Sequence, residues 1–219
     1  FDAMVIPNNS LNEDLAYTFG KSYGSYIRRF NSDKVLVGHD NRISSPILHK
    51  AVIQGVMDSG IDVVDLGLVT TPMYYYAREF LNINTGIMIT ASHNPKDDNG
   101  FKISFEDYGN AFGEHIYEFR DFTLKGDFID GEGSSITYNI RPDYIRLLTS
   151  SVNIKNTDVK VVVDCGNGTG SIIIKDILDA LNITYYPLYC ESDGTFPNHK
   201  PDPCVTENQT ELSKKVLEL

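Results

Sequence analysis

Short apolar runs and segments of helical period take turns along this chain, and a chain patterned in that way folds as strands covered by helices. Lys34 to Gly38 (KVLVG), Ile61 to Leu66 (IDVVDL) and Gly86 to Ala91 (GIMITA) are runs with little polar alternation, the mark of parallel strands buried on both faces. Between them lie helices with start signals. Asn12 precedes Glu13 and Asp14, and Leu15, Phe19, Tyr23, Tyr26 and Ile27 recur at helical spacing to about Phe30. Ser45-Pro46 offers an N-cap and a first-turn proline for a helix ending near Gly60, and Thr71-Pro72 starts another to about Leu81. Asn99-Gly100 is a tight-turn dipeptide before Phe101 to Phe105 (FKISF), whose alternation predicts an antiparallel strand at a sheet edge. In that strand Phe101, Ile103 and Phe105 share one face, and Lys102 and Ser104 share the other.

From Gly126 to Asn139 the sequence is rich in Gly, Ser and Asp without periodicity, which places a boundary between a domain of residues 1–139 and a second of 140–219. The second reads as a helix near Pro142 to Ser150, a strand Lys160 to Asp164, and the glycine-rich turn 166–170. A helix Ser171 to Leu181, a strand Thr184 to Leu188, an irregular stretch Asp193 to Pro203 and a helical tail follow. The expected fold class is α/β, two domains with mixed, mainly parallel sheets covered by helices.

The 219 residues carry 19 basic and 30 acidic side chains, a net charge of −11, so nucleic acid is not an expected partner. A small phosphorylated ligand needs only a few placed cations and amides and remains open. No apolar run reaches the ~18–20 residues of a membrane span. Three cysteines, Cys165, Cys190 and Cys204, show no CxxC pair, and the first residues form no export signal, so reduced thiols and a cytoplasmic location are expected. The initial Phe1 suggests a piece of a longer chain.

Chemistry concentrates in residues 90–102, TASHNPKDDNGFK. An apolar strand delivers Ser92 to the start of a polar turn, and α/β folds bind ligands at the carboxyl ends of their strands. Ser92 and Asn94 in such a turn also commonly satisfy turn backbone, with Pro95 stiffening it. The turn 166–170 has the spacing G-x-G-x-G and lacks the dinucleotide register G-x-G-x-x-G, so close helix–sheet packing is expected of it. A serine-hydrolase elbow, G-x-S-x-G, is absent around Ser92.

TASHNP followed by DNGFK resembles the phosphoserine loop of the α-D-phosphohexomutases, in particular the phosphoglucomutase/phosphomannomutase branch. Residues 38–46 (GHDNRISSP) resemble that family's G-x-D-x-R-x-S-x-P segment, 67–72 (GLVTTP) its next strand–helix junction, and 161–170 with 195–203 the opening of its second domain. The resemblance covers nearly the whole chain. It implies an isomerase that interconverts hexose 1-phosphate and hexose 6-phosphate through a phosphoserine enzyme and a bisphosphate intermediate. Ser92 is then the phosphate carrier and, through its phosphate, a ligand of Mg²⁺. Lys102 is a cation or proton acceptor, and His93 moves protons or orients the loop. Arg42 and Asn94 are substrate-binding candidates, Arg42 being equally readable as a cation that supports the loop.

The family pattern also has parts not seen here. Its opening strand and loop, of the type Y-D-I-R-G, has no counterpart in residues 1–7, where no arginine precedes Arg28, and its aspartate-rich metal loop does not occur. The expectation is therefore a chain resembling the first half of a four-domain enzyme. Its remaining Mg²⁺ ligands and C-terminal domains would lie beyond Leu219, and it would be inactive alone. A non-catalytic domain pair that binds a phosphorylated ligand or a partner chain is the alternative.

Overall fold

The structure, a computed structural model, describes residues 4–6, 10–106, 109–155 and 158–219. The chain divides into two compact units. One takes residues up to Asp40 with Ser44–Ala91 and Asp97–Asn139, and the other takes Asn41–Ile43, Ser92–Lys96 and Ile140–Leu219.

The first unit is a seven-stranded mixed sheet with helices on both faces. Strands β1 (Met4–Ile6), β2 (Lys34–His39), β3 (Asp62–Leu68), β4 (Gly86–Ile89), β5 (Asn99–Phe105) and β7 (Ser135–Thr137) lie in the order β1-β5-β4-β2-β3-β7, and β6 (Gly109–Asn110) pairs with β5. The apolar runs form the parallel centre, β4-β2-β3, and β5 is antiparallel to β4. The edge expected for the FKISF strand is not found, because β1 pairs antiparallel with its other side. Asn99 and Gly100 are also not a turn; they open the strand, paired with Ile6 and Val5. The opening segment set against the family's arginine loop lies partly outside the described residues.

Helices α1 (Glu13–Ile27), α2 (Ser45–Met57) and α4 (Glu114–Lys125) cover one face, where Tyr23, Ile27, Val52, Val56 and Phe119 pack on Val35, Val37, Ile87, Ile89, Phe101, Ile103 and Phe105. Asn12 caps α1 as its sequence suggests, its Oδ1 accepting from the Leu15 amide at 2.9 Å. Helix α3 (Thr71–Leu81), capped by Thr70, buries Met73, Tyr74 and Ala77. The Tyr74 hydroxyl meets Ser104 Oγ at 3.0 Å on the face of β5 that Lys102 shares, so that face is covered too. Helix α4 and strand β7 have no counterpart in the sequence reading. The first buries only Phe119, and β7 is exposed at all three positions, leaving little apolar pattern to read.

Helices α1 and α2 cross at glycines. A methyl group on Gly20 would stand 2.2 Å from the Val52 carbonyl oxygen, and one on Gly55 2.1 Å from that of Tyr17. Alanine gains about 1 kcal/mol over glycine as a helix former, but overpacking a tight backbone contact costs about 1–3 kcal/mol. Packing wins here because the obstacle is main chain. Gly20→Ala is expected to lower the urea midpoint by the equivalent of about 1–2 kcal/mol, and an unchanged or raised midpoint would show that the helices part freely.

The second unit contains α5 (Arg141–Ser151), the parallel pair β8 (Lys160–Asp164) and β9 (Thr184–Leu188), α6 (Ile174–Ala180) and α7 (Thr210–Glu218). The predicted helix Ser171 to Leu181 is broken: a 3-10 turn, Thr169–Ile172, precedes α6. Beyond β8 and β9 the ladder runs on into the loops, with Cys165 N donating to Leu188 O and Asn167 N to Tyr189 O.

Candidate active site

Two backbone facts shape the 90–98 loop. Strand β4 ends at Ile89, and Thr90 N still donates to Gly100 O, so the loop leaves and rejoins the sheet at one point. Ser92 then takes φ +58°, a left-handed conformation that costs a non-glycine residue about 1–2 kcal/mol and is kept only where surroundings impose it. Ser92 is exposed, and His93 and Asn94 are half-buried.

Arg42 supplies the imposition. It is 1% exposed, among the largest fully buried side chains, and its guanidinium is turned on the loop's main chain. Nη2 donates to the carbonyls of Ser92 (2.9 Å) and Asn94 (2.8 Å), and Nη1 donates to that of Pro95 (2.5 Å). A planar fork of N–H donors suits such a cluster of carbonyls, which an ammonium would engage only in part. Its Cζ stands 5.8 Å from the centre of the Phe196 ring. These contacts turn the guanidinium on the loop's own main chain.

Next to Arg42, Asn41 is anchored at every polar atom of its side chain. Nδ2 donates to Asn167 O (2.7 Å) and Ser192 Oγ (3.1 Å), and Oδ1 accepts from Thr169 Oγ1 (3.0 Å). The glycine-rich turn is therefore a dock for Asn41. Gly194 completes it, since a methyl group there would lie 2.3 Å from Asn41 O. Asn41 was missed in the sequence because its partners are backbone and hydroxyl groups more than a hundred residues away.

Within the first unit a buried polar trio braces the return of the loop to β5. Ser45 Oγ donates to Asp40 Oδ1 at 2.5 Å, and Asn99 Nδ2 reaches Ser45 Oγ (2.9 Å) and Ser44 Oγ (2.8 Å). Spending its hydroxyl on Asp40 removes Ser45 as the N-cap of α2; Ser44 occupies that position without a side-chain cap. Beside this trio His39 is held below the ordinary histidine range by burial, with nearby His49 adding to the effect.

Lys102 lies on β5 opposite Met88, one register step from the Ile89–Phe101 pair where the loop leaves. It is half-buried, and among the described residues no carboxylate pairs with its ammonium. The structure thus brings Arg42 together with the main chain of Ser92, Asn94 and Pro95, whereas Lys102 belongs to the other compact unit. His93 and Asn94 sit in the loop with Ser92. Among the described residues no three His, Cys, Asp or Glu side chains gather closely enough to hold a metal ion, so this chain's described residues do not by themselves fit the Mg²⁺ that the resemblance implies. No helix among the described residues is long and apolar enough to cross a membrane.

A mixed α/β sheet covered by helices, followed by a second α/β unit, defines the chain as an α/β protein of two such units. The chain belongs to the phosphoglucomutase/phosphomannomutase family: the profile of its alpha/beta/alpha domain I matches residues 4–129, and that of domain II matches 142–219. It is 40% identical over 218 residues to a phosphomannomutase/phosphoglucomutase of Pseudomonas aeruginosa, an alignment covering 99% of this chain and 46% of that protein. It is 35% identical over 214 residues to a phosphoglucomutase of Neisseria gonorrhoeae, covering 97% and 46%. A crystal structure of a family member from Burkholderia thailandensis superposes with a TM-score of 0.92 at 30% identity, over 100% of this chain and 49% of that one. The chain spans about half the length of the curated relatives it matches.

Proposed function

We propose that this chain is the phosphoserine-bearing part of a cytoplasmic hexose-phosphate mutase, an isomerase that moves a phosphoryl group between the 1- and 6-positions of a hexose. The observation that carries the reading is Ser92: exposed, left-handed, at the end of β4, with its carbonyl fixed by a buried arginine. Family membership supports the same chemistry. In the forward half-reaction a sugar hydroxyl attacks the phosphorus on Ser92, the Oγ–P bond breaks, and Oγ leaves. In the return half, Ser92 Oγ attacks the other phosphate of the bisphosphate and recovers a phosphoryl group. Such a transfer asks for positioning and neutralisation of charge more than for covalent help. Lys102 supplies a cation, His93 lies beside the transferring group in sequence, and Asn94 offers an amide to the sugar phosphate. Mg²⁺ enters this reading only through the phosphate on Ser92.

The full-length protein, given glucose 1-phosphate or mannose 1-phosphate with catalytic glucose 1,6-bisphosphate, is expected to form the 6-phosphate. Binding of the sugar phosphates without conversion of either would favour a non-catalytic domain pair. The 219-residue chain alone is expected to show no conversion in the same assay, and turnover by it would show that the described residues suffice.

Arg42 takes a positioning role in this reading. Arg42→Lys keeps the charge and loses the fork, so at most part of the three carbonyl bonds survives. In the full-length protein this variant is expected to lower kcat about tenfold with KM little changed, since the loop's geometry and not the sugar's contacts is altered. A raised KM at constant kcat would instead make Arg42 a substrate ligand.

A further inference from the structure

Cys165 follows β8 and Cys190 follows β9, at the carboxyl ends of the two paired strands. The ladder between them persists past the strands, and Tyr189, with φ +51°, turns the chain so that the residue after it faces back across the pair. The outcome is a sulfur–sulfur contact of 3.2 Å between Cys190 and Cys165. Both thiols are half-buried and free, whereas Cys204 is free and exposed. Neither half-buried thiol has a part in the chemistry proposed for Ser92.

We propose that Cys165 and Cys190 form a site of reversible oxidation, closing an intramolecular disulfide in the presence of a peroxide. A disulfide needs its sulfurs at ~2.05 Å, so the two atoms have to approach by a little over 1 Å from where they already stand. Burial pushes the Cys165 thiol up to about 12, with neighbouring Cys190 and Asp164 adding to it. The sequence of steps, whose order the two single serine variants test, starts at Cys190. Its sulfur takes the distal oxygen of hydrogen peroxide as the O–O bond breaks, giving a sulfenic acid and, with one proton, water. The sulfur of Cys165 then displaces the hydroxyl from Cys190, its own proton leaving with that hydroxyl as a second water. Two thiols lose two electrons and one peroxide gains them, so the step balances with peroxide alone. A thiol reductant reverses it.

The bond would tie together the two loops that hold Asn41, because Asn167 follows Cys165 by two residues and Ser192 follows Cys190 by two. The site stands on the second unit's own geometry and does not depend on the proposed mutase activity.

The test uses the 219-residue chain carrying Cys204→Ser, which removes the exposed thiol and leaves the pair. After reduction, the protein is treated with hydrogen peroxide, remaining thiols are alkylated, and the intact mass is measured. Loss of two hydrogens, no alkylation, a peptide linking Cys165 to Cys190 and recovery with dithiothreitol are expected. In the same background Cys165→Ser should leave a sulfenic acid on Cys190 that dimedone traps, whereas Cys190→Ser should leave Cys165 alkylatable. The proposal is overturned if both thiols of the folded protein stay alkylatable under a treatment that links them in urea, or if oxygen is gained without a link.

Discussion

Replacing Ser92 by alanine in the full-length protein is expected to remove both the enzyme-bound phosphate and the mutase activity, a loss of about 10⁴-fold or more in kcat. The size follows from the kind of role proposed. A positioning group has neighbours that do part of its work, whereas no other group takes the place of the oxygen that carries the phosphoryl group. Folding should be spared. The side chain is exposed, and alanine at φ +58° meets the same backbone strain that serine already bears. The other serines of the region are poor substitutes. Ser45 and Ser104 are fully buried with their hydroxyls engaged by Asp40 and Tyr74, so neither can meet a sugar phosphate without unfolding its surroundings. Peptide mapping of the phosphorylated protein checks the assignment. A phosphate on Ser44, Ser45 or Ser104 together with activity in Ser92→Ala would remove Ser92 from its role.

How far the sequence could be read depended on where the information sits. The parallel strands were legible because Val35, Leu36 and Val37, or Ile87, Met88 and Ile89, are buried on both faces and need apolar side chains at successive positions. Asn12 was visible as a helix start because capping is local, and Thr71-Pro72 marked the start of α3, whose cap is Thr70. What failed was decided at a distance. Ser45 has the neighbours of an N-cap, yet its hydroxyl is claimed by Asp40, five residues back, and by Asn99, fifty-four residues ahead. β5 alternates as an edge strand does, but β1 covers it, and nothing in FKISF encodes that partner. At the site, the serine loop stood out through its motif, whereas the work of Arg42 and Asn41 did not. Arg42 is held by main-chain carbonyls, which have no signature in sequence, and Asn41 by a carbonyl and two hydroxyls more than a hundred residues away.

Lys102→Ala, the second substitution with a large expected effect, separates two roles that position alone leaves mixed. Lys102 shares its face of β5 with Ser104, and that face is covered by Tyr74 at Ser104. At Lys102, nearer the end where the loop departs, the cover thins and the side chain is half-buried. A long aliphatic stem in such a place packs along apolar surface and delivers its ammonium to the rim. Truncation therefore costs stem packing, on the order of 1 kcal/mol or less of stability, and breaks no ion pair, because none is made among the described residues. The effect on catalysis should be far larger. In the proposed reaction the Lys102 ammonium meets the charge of the transferring phosphoryl group. One preorganised electrostatic or acid–base group contributes a factor of about 10²–10³, so kcat in the full-length protein should fall by that amount while Ser92 remains phosphorylated. Lys102→Arg refines the outcome: it restores much of the rate if charge is what matters, and little if a proton must be accepted, since guanidinium does not release one near neutral pH. Wild-type kcat in Lys102→Ala, with thermal stability unchanged, would make Lys102 a solvated surface cation and leave the charge of the transferring group to be met by residues outside this chain's described set.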